Sequence, residues 1–185
     1  MDRTNHRILG IDPGLRTTGY GVIESAGGQV KIVEAGVIRV KPEQPLAKRV
    51  GELFTSLLEV IDALKPGAMA LEELYSHYER PRTAILMGHA RGVICLAGEQ
   101  RGISVHSYAA TKVKRMLTGS GRAPKSQMQL SICREFRLDK VPEPPDVADA
   151  LAIALCHYHQ QHLTNVLEKP RKSRAASVKL DLDLG

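Results

Sequence analysis

Cysteine is scarce in this chain. Its 185 residues include three, Cys95, Cys133 and Cys156, far apart and odd in number. No CxxC and no Cys/His pair has zinc spacing. That argues against a disulfide framework and a structural zinc site, and it fits a reducing cytoplasm. Long apolar runs are missing too. The longest, such as Ala150–Cys156, fall far below the roughly 18 residues that span a bilayer, so no membrane association is expected. The opening MDRTNHRILGID holds too short an apolar stretch for a signal peptide. Internal repeats and low-complexity blocks are absent as well.

What is present is an ordinary globular composition, 43% hydrophobic and 25% charged. The length suggests one domain, placed at residues 1–167. Residues 168–185, EKPRKSRAASVKLDLDLG, are polar, Pro-broken and charge-mixed, and read as a disordered tail. The net charge is +6, but its distribution says more. Residues 1–74 carry −1, residues 75–137 carry +8, residues 138–167 carry −3, and the tail carries +2. A middle third more positive than the whole chain implies a polyanionic partner.

The pattern of elements is regular. Arg7–Ile11 reads as a strand stopped by Asp12-Pro13-Gly14. Gly19–Ser25 and Val30–Val40 read as two strands joined by a hairpin turn at Ala26–Gln29, with Gly36 as a candidate bulge. Pro45–Lys65 has helical spacing and ends at Pro66-Gly67. Ala68–Leu74 reads as a buried fourth strand and Ser104–Tyr108 as a fifth. Helices are expected at Thr83–Gln100, Ala109–Leu117, Lys125–Arg137 and Asp146–His162. The order β-β-β-α-β-α-β-α-α-α predicts an α/β fold: a mixed five-stranded sheet with helices on both faces, three strands antiparallel and two parallel.

Four carboxylates stand out by position. Asp12 ends the first strand. Glu72, beside Glu73, ends the fourth. Asp146 and Asp149, three apart, share a face at the start of the last helix. Gathered at one end of a sheet they repel strongly without a cation between them. Hard oxygen ligands favour Mg²⁺ or Mn²⁺. Two such ions activate a water and stabilise the leaving 3′ oxygen of a phosphodiester. Blander roles stay open here: turn chemistry for Asp12, an N-cap for Asp146 and a capping-box partner for Asp149. Strand parity does not choose between Glu72 and Glu73, because a strand buried on both faces does not alternate cleanly.

Five segments in order, ILGIDPGLRTTGYGVI, ALEELY, GHARGV, YAATKVKRMLTGSGRAPKSQMQ and DVADALAIALCH, resemble the RuvC family of Holliday-junction resolvases. The resemblance runs from about Arg7 to His162. It implies a ribonuclease-H-like fold and a homodimer that nicks four-way DNA junctions in symmetric pairs during recombination and repair. It implies two Mg²⁺ ions per site, with Mn²⁺ able to substitute. The acidic tetrad falls on Asp12, Glu72, Asp146 and Asp149, so the ALE spacing selects Glu72. The two lysines near the scissile strand fall on Lys114 and Lys125, and the base-stacking aromatic on Tyr75. A branch-migration motor and a junction-binding subunit, of RuvB and RuvA type, are the implied partners.

DNA contact is expected from Lys114, Lys125, Tyr75, Arg82 and Arg122. Lys125 follows a Gly-rich loop and opens a helix, which suits a phosphate. Tyr75 and Tyr78 follow Glu72, where a ring can stack on an unpaired base. Arg91 and Arg101 are read as serving packing or the dimer. His157, His159 and His162 lack i, i+4 spacing and are read as surface or packing residues. The enzyme alternative is a related nuclease acting on RNA or another branched nucleic acid. An actin-like ATPase needs about twice this length, and a purely DNA-binding role leaves the acidic tetrad unexplained.

Overall fold

The computed structural model describes residues 7–74 and 81–168. Its sheet holds β1 (Arg7–Asp12), β2 (Thr17–Ala26), β3 (Gln29–Arg39), β4 (Ala68–Glu72) and β5 (Ser104–Tyr108) in the order β3-β2-β1-β4-β5. β1–β2 and β2–β3 are antiparallel, and β1–β4 and β4–β5 are parallel. The helices are α1 (Leu46–Leu64), α2 (Pro81–Gln100), α3 (Ala110–Thr118), α4 (Lys125–Phe136) and α5 (Pro145–Glu168). The element order and strand directions are those expected from the sequence. α5 runs past His162 to Glu168, and the tail from 169 on lies outside the described residues.

One expectation is corrected. Gly36 is not a bulge, because it pairs in register with Tyr20. The irregularity is three residues earlier: Val22 faces Glu34 while Ile23 faces Ile32, which leaves Val33 as the extra residue. A β-branched residue on an edge strand tolerates that position, so nothing in the composition marked it.

Each face of the sheet carries its own core. Leu9, Ile11, Val22, Met69 and Leu71 pack against Leu53, Leu57 and Ile61 of α1 and Ala90, Ile94 and Ala97 of α2. The α1 residues recur every fourth position, which makes one stripe along the helix. On the other face Ile8, Ile23 and Ala70 pack against α5, with Val113 of α3 and Met128 and Ile132 of α4 beside it. Burying each large aliphatic side chain contributes about 1.5–3 kcal/mol.

α5 lies unusually close to the strands, because glycine and alanine meet there. A Cβ on Gly10 would run into the Ala150 carbonyl and stand 2.8 Å from the Ala154 Cβ. A Cβ on Gly19 would overlap the Asp146 carbonyl. These two missing side chains set the height of α5 above β1 and β2, and so the height of whatever its first turn carries. Among the described residues no helix is long and apolar enough to cross a membrane.

Candidate active site

Strand parity places the first two carboxylates. Ile8 and Ala70 belong to the α5 side, while Leu9, Ile11, Met69 and Leu71 belong to the α1–α2 side. Continuing that alternation puts Asp12 and Glu72 on the α5 side, just past the Ile11↔Leu71 pair. Glu73 falls on the other side and is exposed. The structure therefore separates Glu72 from Glu73, which composition alone could not do.

α5 contributes the other two. The helix begins at Pro145, so Asp146 lies inside its first turn. The N-cap reading of Asp146 is thus corrected, and with it the capping-box role of Asp149. The cause is Pro145, which suits the first helical position and moves the start one residue earlier than expected. In the turn that follows Asp12, Thr18 Oγ1 donates to the Gly14 carbonyl at 2.5 Å.

The four carboxylates act on one another. Asp12 is pushed from its ordinary 3.8 up to about 7, first by burial, then by Asp149, Glu72 and Asp146, with Lys125 pulling the other way. Glu72 is raised by burial and by Asp149, against the pull of Lys114 and Lys125. Lys125 Nζ pairs with Asp149 Oδ2 at 2.7 Å, which holds the ammonium charged. Glu72, Asp149, Lys114 and Lys125 line one cleft of about 240 Å³ with a floor of Val113, Met128 and Ile153.

Among the described residues no three His, Cys, Asp or Glu side chains close around one point as a ready ligand set. The Lys125 ammonium stands on Asp149 instead. The donor chemistry nevertheless fits a hard divalent cation. A half-buried carboxyl raised to about 7, first by desolvation and then by three like neighbours, is a site short of positive charge.

The remaining basic residues divide. Arg82 and Arg122 are exposed, at the start of α2 and between α3 and α4. Arg101 is exposed and holds Asp62 of α1 through two bonds of 2.6 and 2.7 Å, a surface ion pair that ties α2 to α1. Arg134 and Arg137 line a different cleft, against Gly28–Ile32. Tyr75, Tyr78 and Arg80 lie outside the described residues.

Two contacts went unseen in the sequence. Arg91 Nη1 donates to the Glu72 carbonyl, and Nη2 donates to Ser107 Oγ at 2.5 Å. Its signal was being the single charged residue between Gly88 and Gly98. The second is a Tyr108 hydroxyl–His157 Nδ1 hydrogen bond of 2.7 Å between β5 and α5. Burial, then the neighbouring His106, holds His157 down at about 4, so the ring is neutral. His157 is a packing residue, as the spacing indicated, while His162 is exposed.

A family profile described as crossover junction endodeoxyribonuclease RuvC matches residues 8–157. The chain belongs to the RuvC family. Similar members include the crossover junction endodeoxyribonuclease RuvC of Rhodopirellula baltica, 56% identical over 152 residues that cover 82% of this chain and 85% of that protein. The RuvC of Desulforamulus reducens is 44% identical, over 81% of this chain and 91% of its own. Among solved structures, T. thermophilus RuvC in complex with a Holliday junction substrate superposes with a TM-score of 0.82 at 32% identity, covering 86% of this chain and 96% of that one. This RuvC-family chain has the α/β, ribonuclease-H-like architecture of that structure, as the strand order indicated.

Proposed function

We propose that this protein is a metal-dependent endodeoxyribonuclease that resolves four-way DNA junctions by paired symmetric nicks, with Asp12, Glu72, Asp146 and Asp149 as its ligand set. The observation that carries the assignment of residues is the mutual repulsion of the half-buried carboxylates beside the Lys114–Lys125 cleft, in a chain of the RuvC family.

The four carboxylates would hold two Mg²⁺ ions, or Mn²⁺ in their place. When bound, the ions supply Lewis-acid chemistry, lowering the pKa of the attacking water and stabilising the leaving 3′ oxygen, which yields 5′-phosphate and 3′-hydroxyl ends. The protein's own groups do the rest. Asp12, raised to about 7 by burial and its acidic neighbours, would be held ionised by a bound cation. Lys125, which pairs with Asp149, stands where its ammonium would also meet a substrate phosphate. It opens α4, where the free N–H groups of the first turn face the same direction of charge. Lys114 lines the same cleft and adds a second positive charge. Arg82 and Arg122 extend the basic surface along the DNA, and Tyr75 stacks on an unpaired base at the branch point.

The junction has two equivalent target strands, which calls for two sites related by a two-fold axis. α2 supports the homodimer. Ile85 and Leu96 are 61% and 51% exposed, on the same side as Gly88 and Gly92, which face open space. Small residues there allow a second copy to approach closely. A branch-migration motor and a junction-binding subunit, of RuvB and RuvA type, complete the proposed partners, and the cytoplasm is the proposed compartment.

The test is nicking of a mobile synthetic four-way junction with mapped cut sites, with and without Mg²⁺, beside linear duplex and RNA–DNA hybrid controls. Symmetric nicks on the junction alone are expected. Preferential cleavage of the RNA-containing hybrid would overturn the assignment.

A further inference from the structure

The end of β4 raises a question of backbone accounting. Glu72 lies one residue beyond the last β1–β4 pair. On the other side the ladder closes with the Glu73 N–H donating to the Tyr108 carbonyl at 2.9 Å. A carbonyl at a strand end loses its ladder donor and takes another partner or water. Here the partner comes from a helix: Arg91 Nη1 of α2 donates to the Glu72 carbonyl, while Nη2 donates to Ser107 Oγ on β5.

We infer that Arg91 is a positioning residue for Glu72, its guanidinium clamping the end of β4 to β5 and thereby fixing where the Glu72 carboxylate points. The inference rests on the reading of Glu72 as a metal ligand.

Four features carry it. Arg91 is half-buried and, among the described residues, makes no ion pair, so its guanidinium is spent on neutral acceptors at the site's edge. Arg101 shows the contrast: in the next residue past the same helix, the fork grips a carboxylate, Asp62, and serves helix packing. The groups that act by charge on the Glu72 carboxyl are Asp149, Lys114 and Lys125. Arg91 reaches that residue through its backbone instead. The donor is also anchored rigidly, since Ala90, Ile94 and Ala97 of α2 are fully buried in the same core as Met69 and Leu71 of β4. Finally, a planar fork presents two donors in fixed directions, which an ammonium on a flexible stem does not. Glu72 is thus held between two helices. α5 supplies Asp149, which acts on its carboxyl, and α2 pins the main chain that aims it.

The experiment uses the full chain and compares Arg91→Met, Arg91→Lys and Ser107→Ala with wild type. Four quantities are read: single-turnover cleavage of a four-way junction, junction Kd, thermal midpoint, and Mn²⁺ binding to the DNA-free protein by electron paramagnetic resonance. Arg91→Met is expected to slow cleavage by about 10–100-fold, the range seen when a group orienting a metal ligand is lost. Mn²⁺ binding should weaken with it, and junction Kd should stay within about twofold because the basic cleft is untouched. Arg91→Lys should recover only a minor part, and Ser107→Ala should fall between wild type and Arg91→Met. A folded Arg91→Met protein with wild-type cleavage and Mn²⁺ affinity overturns the inference. So does full recovery by Arg91→Lys, which would make charge alone the requirement. If Arg91→Met does not fold, Ser107→Ala decides: unchanged cleavage and Mn²⁺ affinity reject the clamp. Glu72→Gln serves as the control, since wild-type cleavage and Mn²⁺ binding by that variant would sink the ligand assignment itself and leave the Arg91 contacts to another role.

Discussion

Asp12→Asn separates the cost of the site from its use. Asp12 titrates at about 7 in the folded protein against an ordinary 3.8, chiefly through burial and then through Asp149, Glu72 and Asp146. The unfolded chain gives up this proton near pH 4, while the folded chain keeps it until about pH 7. Stability is therefore full below the lower value and is lost as pH rises through that window. A shift of three units corresponds to about 4 kcal/mol once both states are ionised. Asparagine has nearly the same shape and never ionises. In EDTA at pH 8 the variant should be more stable than wild type by about 2–4 kcal/mol, the lower figure allowing for relaxation of the neighbouring carboxylates. At pH 4.5, just above the ordinary value of 3.8, the gap should shrink to about 1 kcal/mol or less. For a chain of this length the pH 8 gap corresponds to roughly 5–15 °C in thermal midpoint. Urea titration at both pH values is the assay, repeated with Mg²⁺. Wild type should then gain stability by mass action, and the variant should gain less. Junction binding should persist in the variant and nicking should disappear. A gap that is the same at pH 4.5 and pH 8, or a wild type that is the more stable in EDTA at pH 8, would refute the reasoning.

Three further outcomes follow from the same geometry. Gly10→Ala should destabilise by about 3 kcal/mol in urea, because its Cβ meets the Ala150 main chain, a neighbour that cannot step aside without moving α5. Leu96→Asp should yield a monomer by light scattering with little loss of thermal stability, since Leu96 is exposed; a dimer of unchanged affinity would exclude this face of α2. Junction Kd should weaken steeply with salt, and Arg122→Ala should reduce the log–log slope by about one phosphate contact; a slope identical to wild type would remove Arg122 from the DNA surface.

Much of the fold was legible because local chemistry spelled it out. Gly27-Gly28 marked the hairpin, Pro66-Gly67 closed α1, and the change of spacing from two to roughly four separated strands from helices. The charge map was legible in the same way: the +8 region lies in sequence between Glu72 and Asp146, and two of its lysines line the cleft with Glu72 and Asp149. The register irregularity at Val33 was not legible, since the residue that bulges is an ordinary strand former. Nor was the end of α5, which runs six residues past His162 and stops at Glu168, two residues before Pro170.

The amino-acid sequence by itself determined which residues could carry the chemistry: Asp12 at a strand end, a Glu pair at another, two Asp three apart, and lysines between them. Those facts are one-dimensional, a matter of residue type and spacing. The tertiary structure decided what they face. It put Glu72 rather than Glu73 beside Asp12, because only the packed sheet says which side α5 covers. It also joined Lys125 to Asp149 and Arg91 to the Glu72 carbonyl, across 24 and 19 residues of chain. Contacts at that separation have no local pattern to announce them, because they arise only when the helices settle on the sheet and on one another.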